Sequence, residues 1–218
     1  MSDSLVRPTL LHAYRQFLDD HDRAGFMSAV MRRYSESSLQ RLVYSGDRFS
    51  RRAAVLALGA VGRQGSVDVL SWALQDEDRA VRLLAEDGLV SLWGRAAGPA
   101  GTYALNKINR LNRGQLYDMA ADEAESLLER YPAFGEAWHQ LGIACMGVAD
   151  YERAESSLLE CMRHEPQHFI ALQKLARVLL ATGEPFAALQ RLGETLDIHP
   201  HCEMVRLQLE QLRRSWQS

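Results

Sequence analysis

Apolar residues recur along this chain at helical spacing from one end to the other, and no stretch alternates with the period of two that a half-buried strand needs. Leu10, Leu11, Tyr14, Phe17 and Leu18 keep the i, i+3, i+4, i+7 spacing of one helix face. They predict a helix over 8–19 with Pro8 in its opening turn. A second helix over 23–34 is expected to bury Phe26, Met27, Val30 and Met31. Two pairs follow, each a short helix and a longer one: 37–45 with 49–62, and 66–75 with 78–95. Asp47 and Asp78 stand where N-caps belong, and Gly62 and Gly65 separate the pairs. A Gly/Pro-rich break at 95–101 ends this part. The last predicted helix, over 203–216, offers Met204, Leu207, Leu209, Leu212 and Trp216 for packing and Arg206, Arg213 and Arg214 to solvent.

Beyond the break the pattern repeats. Pro132, Pro166 and Pro200 are 34 residues apart, as are Ala120, Ala154 and Ala188, and Tyr117 and Tyr151. A fixed period of this length means one helical hairpin per unit, stacked so that neighbours bury each other's apolar faces. In the middle unit, Trp138, Leu141, Gly142, Tyr151, Ala154 and Pro166 resemble the signature of a tetratricopeptide repeat. The first unit keeps Tyr117, Ala120 and Pro132, with Ala104, Lys107 and Ile108 in place of Trp, Leu and Gly. The third keeps Leu172, Leu175, Ala176, Ala188 and Pro200, with Pro185 in place of Tyr.

Before the break the period is 31: Asp47, Arg51, Ala54 and Leu58 recur as Asp78, Arg82, Ala85 and Leu89. This stretch resembles short HEAT repeats of the kind found in phycobilisome lyases. The two resemblances imply an all-α fold, a right-handed α-solenoid of stacked helical hairpins. Its expected divisions are capping helices over 1–34, HEAT-like repeats over 35–97, and tetratricopeptide repeats with a C-terminal capping helix over 101–218.

Composition narrows the function. Of 218 residues 47% are hydrophobic and 24% charged, the balance of an ordinary folded chain, and the net charge is −3. That charge argues against nucleic acid, whose phosphates select a basic face. No apolar run is long enough for a signal peptide or a membrane span. Three cysteines form no even disulfide framework, so a reducing compartment, the cytoplasm, is expected.

Candidate chemistry is sparse. His164-Glu165-Pro166-Gln167-His168 spells H-E-x-x-H, but zinc chemistry needs both imidazoles on one helical face, and Pro166 disfavours a helix there. The register makes these residues a connector between repeats. Cys161, His164, His168, His199, His201 and Cys202 cluster along the chain without specifying four convergent metal ligands. Gly59-x-x-Gly62-x-x-Gly65 follows a helix where a dinucleotide loop follows a strand. The dense arginines Arg48, Arg51, Arg52, Arg79 and Arg82 leave a second reading: a HEAT-type enzyme or accessory, lyase-like or glycosylase-like with nucleic acid. Arg51 and Arg82, however, stand at a repeat position where pairing with Asp47 or Asp78 is expected. No catalytic residue, metal or cofactor is assigned, and the chain reads as no enzyme.

The remaining candidate is a groove. In tetratricopeptide repeats the first helix of each unit lines a concave wall that holds a peptide. The resemblance implies Asn106, Asn109, Asn112 and Arg113 in the first unit, His139, Gln140, Ile143 and Met146 in the second, and Gln173, Lys174 and Arg177 in the third. Asn109 and Lys174 match positions of the carboxylate clamp of chaperone-binding repeats, while Leu105 and Ile170 replace its lysines. The implied function is a protein-interaction adaptor that holds a peptide or protein partner.

Overall fold

The computed structural model describes residues 3–215, with side-chain environments for residues 9–214. Thirteen α-helices and one 3₁₀ turn, without strands, make up the described residues. The chain divides after Leu92 into two units.

The first unit opens with α1 (Asp3–Asp20) and α2 (Arg23–Met31). Helix α1 starts five residues ahead of Pro8, which lies inside the helix and not in its opening turn. Leu10, Ala13 and Tyr14 are buried, and Leu18, expected with them, is half exposed near the C-terminal end of the helix. Met31 is also exposed: it ends α2, which closes before the predicted boundary at residue 34. Next come α3 (Glu36–Ser45) and α4 (Arg48–Val61), then a 3₁₀ turn at Gln64–Ser66, α5 (Val67–Ala73) and α6 (Arg79–Arg95). The Asp47 carboxylate accepts from the N–H groups of Phe49 and Ser50, and Asp78 from those of Ala80 and Val81, which are the expected caps.

Helices α4 and α6 touch backbone to backbone at two glycines. A Cβ on Gly59 would lie 2.7 Å from Gly88 Cα, so the crossing admits no side chain. The arginines serve this packing. Arg51 grips Asp76 through Nε and Nη2 at 2.7 and 3.0 Å, and reaches Glu77. Arg52 holds Asp78 at 3.1 and 2.7 Å, and Arg82 donates to the carbonyls of Asp76 and Glu77. The repeat-position arginines are therefore structural, although Arg51 takes Asp76, and not the cap Asp78, as its partner.

In the second unit three hairpins stack in sequence: α7 (Gly98–Arg113) with α8 (Tyr117–Arg130), α9 (Gly135–Gly147) with α10 (Tyr151–His164), and α11 (Phe169–Ala181) with α12 (Pro185–Ile198). This is a tetratricopeptide-like arrangement. Helix α13 (Glu203–Ser215) packs on α12 through Val205 and Leu209, with Leu212 partly buried. Met204 and Leu207 were expected on that face and instead point to solvent, because the helix presents its 205/209/212 stripe to the core. Trp216 lies outside the described residues. No described helix is long and apolar enough to cross a membrane.

The 34-residue period reaches the backbone. Each inner turn passes through one left-handed residue, Gln115 (φ 59°), Ala149 (φ 59°) and Gly183 (φ 82°), and only the third is a glycine. Ala120, Ala154 and Ala188 are fully buried. At the α9/α10 contact a Cβ on Gly142 would meet Leu158 at 2.8 Å and the Ala154 carbonyl at 3.4 Å.

Two outcomes follow from this geometry. Ala154→Leu overpacks the α9/α10 contact and lowers stability by about 1–3 kcal/mol, read from the urea midpoint. Ala149→Gly relieves a left-handed alanine and raises stability by up to about 1 kcal/mol, part of the strain being offset by the freer unfolded chain.

Candidate functional site

A chain of buried polar groups links the first helices of all three hairpins. It centres on Glu136, the second residue of α9, where the helix N-terminus favours a negative charge. The start of α9 is pressed against Glu165: a Cβ on Gly135 would fall 2.6 Å from Glu165 Cγ. Glu136 is therefore buried, and its carboxylate must find its donors inside the protein. Gln140 Nε2 donates to Oε1 at 2.8 Å, His139 Nδ1 lies 3.1 Å from the same oxygen, and His168 Nε2 lies 2.9 Å from Oε2. From α7, Asn112 Nδ2 donates to the carbonyl and to the side-chain oxygen of Gln140, both at 3.0 Å. Trp93 stacks on His168 with ring centroids 4.1 Å apart, and the His139 ring lies 4.7 Å from that of His168.

His168 caps α11. The N–H of Ala171 donates to His168 Nδ1 at 3.1 Å, so that nitrogen offers its lone pair and Nε2 carries the proton shared with Glu136. Burial pulls the His168 pKa down, against the opposing pull of Glu136. Burial by itself would raise the Glu136 carboxyl, but the His139 charge and the hydrogen bonds from His139 and His168 outweigh it and hold the group well below the usual carboxylate range. Glu136, His139 and His168 bring three metal-capable atoms within 4.8 Å. The capping bond decides against a cation: with Nδ1 accepting, His168 could offer Nε2 to a metal only as an imidazolate.

The H-E-x-x-H residues are split between two elements. His164 ends α10, Glu165 caps its C-terminus, and His168 opens α11.

The groove residues expected from sequence separate into two groups. Asn106, Arg113 and Arg177 are exposed, and Asn109, Ile143, Met146, Gln173 and Lys174 are half-buried. His139 and Gln140 are instead buried, at 4% and 8% exposure, and Asn112 at 8%. His139 and Gln140 face inward toward the Glu136 carboxylate and Asn112 faces inward to donate to Gln140, so the three do not line an open wall. Glu136 and His168 were absent from the expected set. One sequence signal was available: the residues 34 before and after Glu136 are Thr102 and Ile170, so an acid stands in a register position that is uncharged elsewhere.

The exposed group has its own electrostatic character. Lys107, Arg153, Arg163 and Arg191 are each paired with a carboxylate, of Glu123, Glu125, Glu160 and Glu194. Lys174 and Arg177, neighbours on α11, have no carboxylate partner among the described residues. Burial, and then the adjacent Arg177 charge, lower the Lys174 pKa.

No protein-family model matches the chain, and no curated protein matches it. Among solved structures it is similar to MamA from Desulfovibrio magneticus RS-1, residue 41 to the end, at 16% identity. That match covers 93% of this chain and 99% of the other, with a TM-score of 0.44. A MamA RS-1 double mutant matches at 15% identity over 94% and 99% of the two chains, TM-score 0.44. A MamA point mutant matches at 19% identity over 89% and 96%, TM-score 0.42.

Glu136→Leu strands the donors of His139, Gln140 and His168, each worth about 1–3 kcal/mol when buried without a partner. Stability is expected to fall by about 3 kcal/mol or more in chemical denaturation. Elemental analysis of protein purified without chelator is expected to find no stoichiometric zinc; zinc that disappears in His168→Asn would contradict the hydrogen-bonded reading.

Proposed function

We propose that the chain is a non-catalytic protein-interaction scaffold whose tetratricopeptide-like unit holds an extended, acidic segment of a partner protein. The segment runs along the open edges of α7, α9 and α11. The observation that carries this reading is the Lys174–Arg177 pair: two adjacent cations, one half-buried, with no carboxylate partner among the described residues. A partly desolvated ammonium beside a guanidinium is an unfavourable arrangement that an incoming carboxylate relieves. Asn106, Asn109 and Gln173 supply amides for a peptide backbone, Arg113 a further cation, and Ile143 an apolar contact. His139 and Gln140 drop out as direct contacts and act as supports beneath the surface.

Residues 35–97 form the HEAT-like part of the scaffold in this reading. The enzyme or nucleic-acid alternative loses support because Arg51, Arg52 and Arg82 are engaged with Asp76, Asp78 and backbone carbonyls. A reducing, cytoplasmic setting accords with cysteines free of disulfides at 145, 161 and 202.

Immobilised acidic, neutral and basic peptides of equal length test the proposal. Acidic peptides are expected to be retained, with affinity falling as salt rises. Arg177→Ala is expected to weaken retention by about 1–3 kcal/mol without altering the unfolding midpoint. Equal retention of neutral peptides, or full retention by the Lys174→Ala/Arg177→Ala double variant, would sink the idea.

A further inference from the structure

The buried polar chain does more than hold helices together, because one of its members has only one place to receive a proton. His168 Nε2 already carries a hydrogen, donated to Glu136 Oε2 at 2.9 Å. The only lone pair left on the ring is at Nδ1, and that lone pair accepts the Ala171 N–H at 3.1 Å as the N-cap of α11. A proton arriving at Nδ1 turns the acceptor into a donor. It breaks the cap and sets a positive charge against the positive end of the helix dipole.

We propose that His168 is a proton-operated cap: neutral, it fastens the first turn of α11; protonated, it releases that turn.

The surroundings define when this happens. From α9, Glu136 and His139 face the ring, and Gln140 completes the Glu136 carboxylate. From α6 the facing group is Trp93, which carries no charge. From α10 come Cys161, whose thiol burial pushes well above its usual range, and the buried Glu165 at the helix C-cap. On the far side Phe169 separates the ring from His199, whose own ring meets Phe169 edge-on at 5.4 Å. Glu136 favours the proton, while full burial of His168 and the charge of His139 oppose it, and the opposition wins.

The sign follows from linkage. The folded protein binds the proton less well than the open one, so the cap is at full strength above the ordinary histidine value of 6.5. It weakens as pH falls below that value. Opening takes up one proton, so protection of the capped amide falls by about tenfold per pH unit in this window. Below the ordinary carboxyl value of 4.5 Glu136 adds a loss of the same sign.

Helix α11 carries Lys174 and Arg177, so cap release also loosens the proposed acidic-segment site. That consequence rests on the preceding proposal; the cap itself does not.

The test reads the cap without any ligand. Hydrogen exchange of the full chain is followed at Ala171 between about pH 7.5 and about pH 5.5, with rates corrected for intrinsic pH dependence. The slope is expected in the wild type and in His139→Gln. It is expected to be absent in His168→Asn, whose side chain can cap without titrating. A slope retained in His168→Asn, or lost in His139→Gln, overturns the proposal. Should His168→Asn not fold, ¹⁵N spectra of the wild-type imidazole decide. A hydrogen on Nε2 at neutral pH, replaced on acidification by hydrogens on both nitrogens together with loss of Ala171 protection, supports the cap. A hydrogen on Nδ1 at neutral pH, or protection unchanged on acidification, contradicts it.

Discussion

The second unit depends on the burial of a single carboxylate. Taking Glu136 out of water costs several kcal/mol, and the cost is offset only if donors converge on both oxygens. Those donors come from separate places in the chain: His139 and Gln140 one turn along α9, His168 at the head of α11, and Asn112 of α7 through Gln140. Stacked repeats ordinarily touch only their neighbours through apolar faces, which tolerate small slips. A hydrogen-bonded carboxylate tolerates far less, since a displaced donor leaves a buried charge short of partners. The network thus fixes the first helices of three repeats in one register, while the alanines at 120, 154 and 188 set how closely each hairpin closes.

This constraint also sorts the polar residues of the first helices. The groups that satisfy Glu136 turn inward and are withdrawn from solvent. What remains on the open edge is a smaller set, in which Lys174 and Arg177 lie together on α11 without a carboxylate partner among the described residues. The positions of the two cations are in turn tied to His168, because the helix that carries them starts at its imidazole. Support, proton response and the proposed partner contact therefore share one helix.

Much of this was legible in the sequence, and the part that was not has a definite cause. The period was readable because the prolines at 132, 166 and 200 close each hairpin and the small residues sit at every tight contact. Pro166 likewise separated the H-E-x-x-H spelling from zinc chemistry, and His164 and His168 do lie on different elements. The inward turn of His139 and Gln140 was not readable. A polar residue on a helix is read as solvent-facing unless its buried partner is known. Their partner Glu136 is only three and four residues away, but its own burial depends on His168 and on packing about one repeat along the chain. The packing face of α13 was read only in part, for a related reason. Leu209 and Leu212 pack as expected, but Val205 joins them where Met204 and Leu207 were expected, and only the angle at which the helix docks decides between them. In the first unit the aspartate caps were evident from sequence, whereas the choice of Asp76 by Arg51 depended on a turn that periodicity does not describe.

Native-state hydrogen exchange over α7, α9 and α11 tests the central claim most directly, since it measures whether the three first helices open as one body. If Glu136 locks them together, their slowest amides share a single opening free energy and the same dependence on denaturant. Three separate opening free energies, with α7 or α11 exchanging independently of α9, would contradict it.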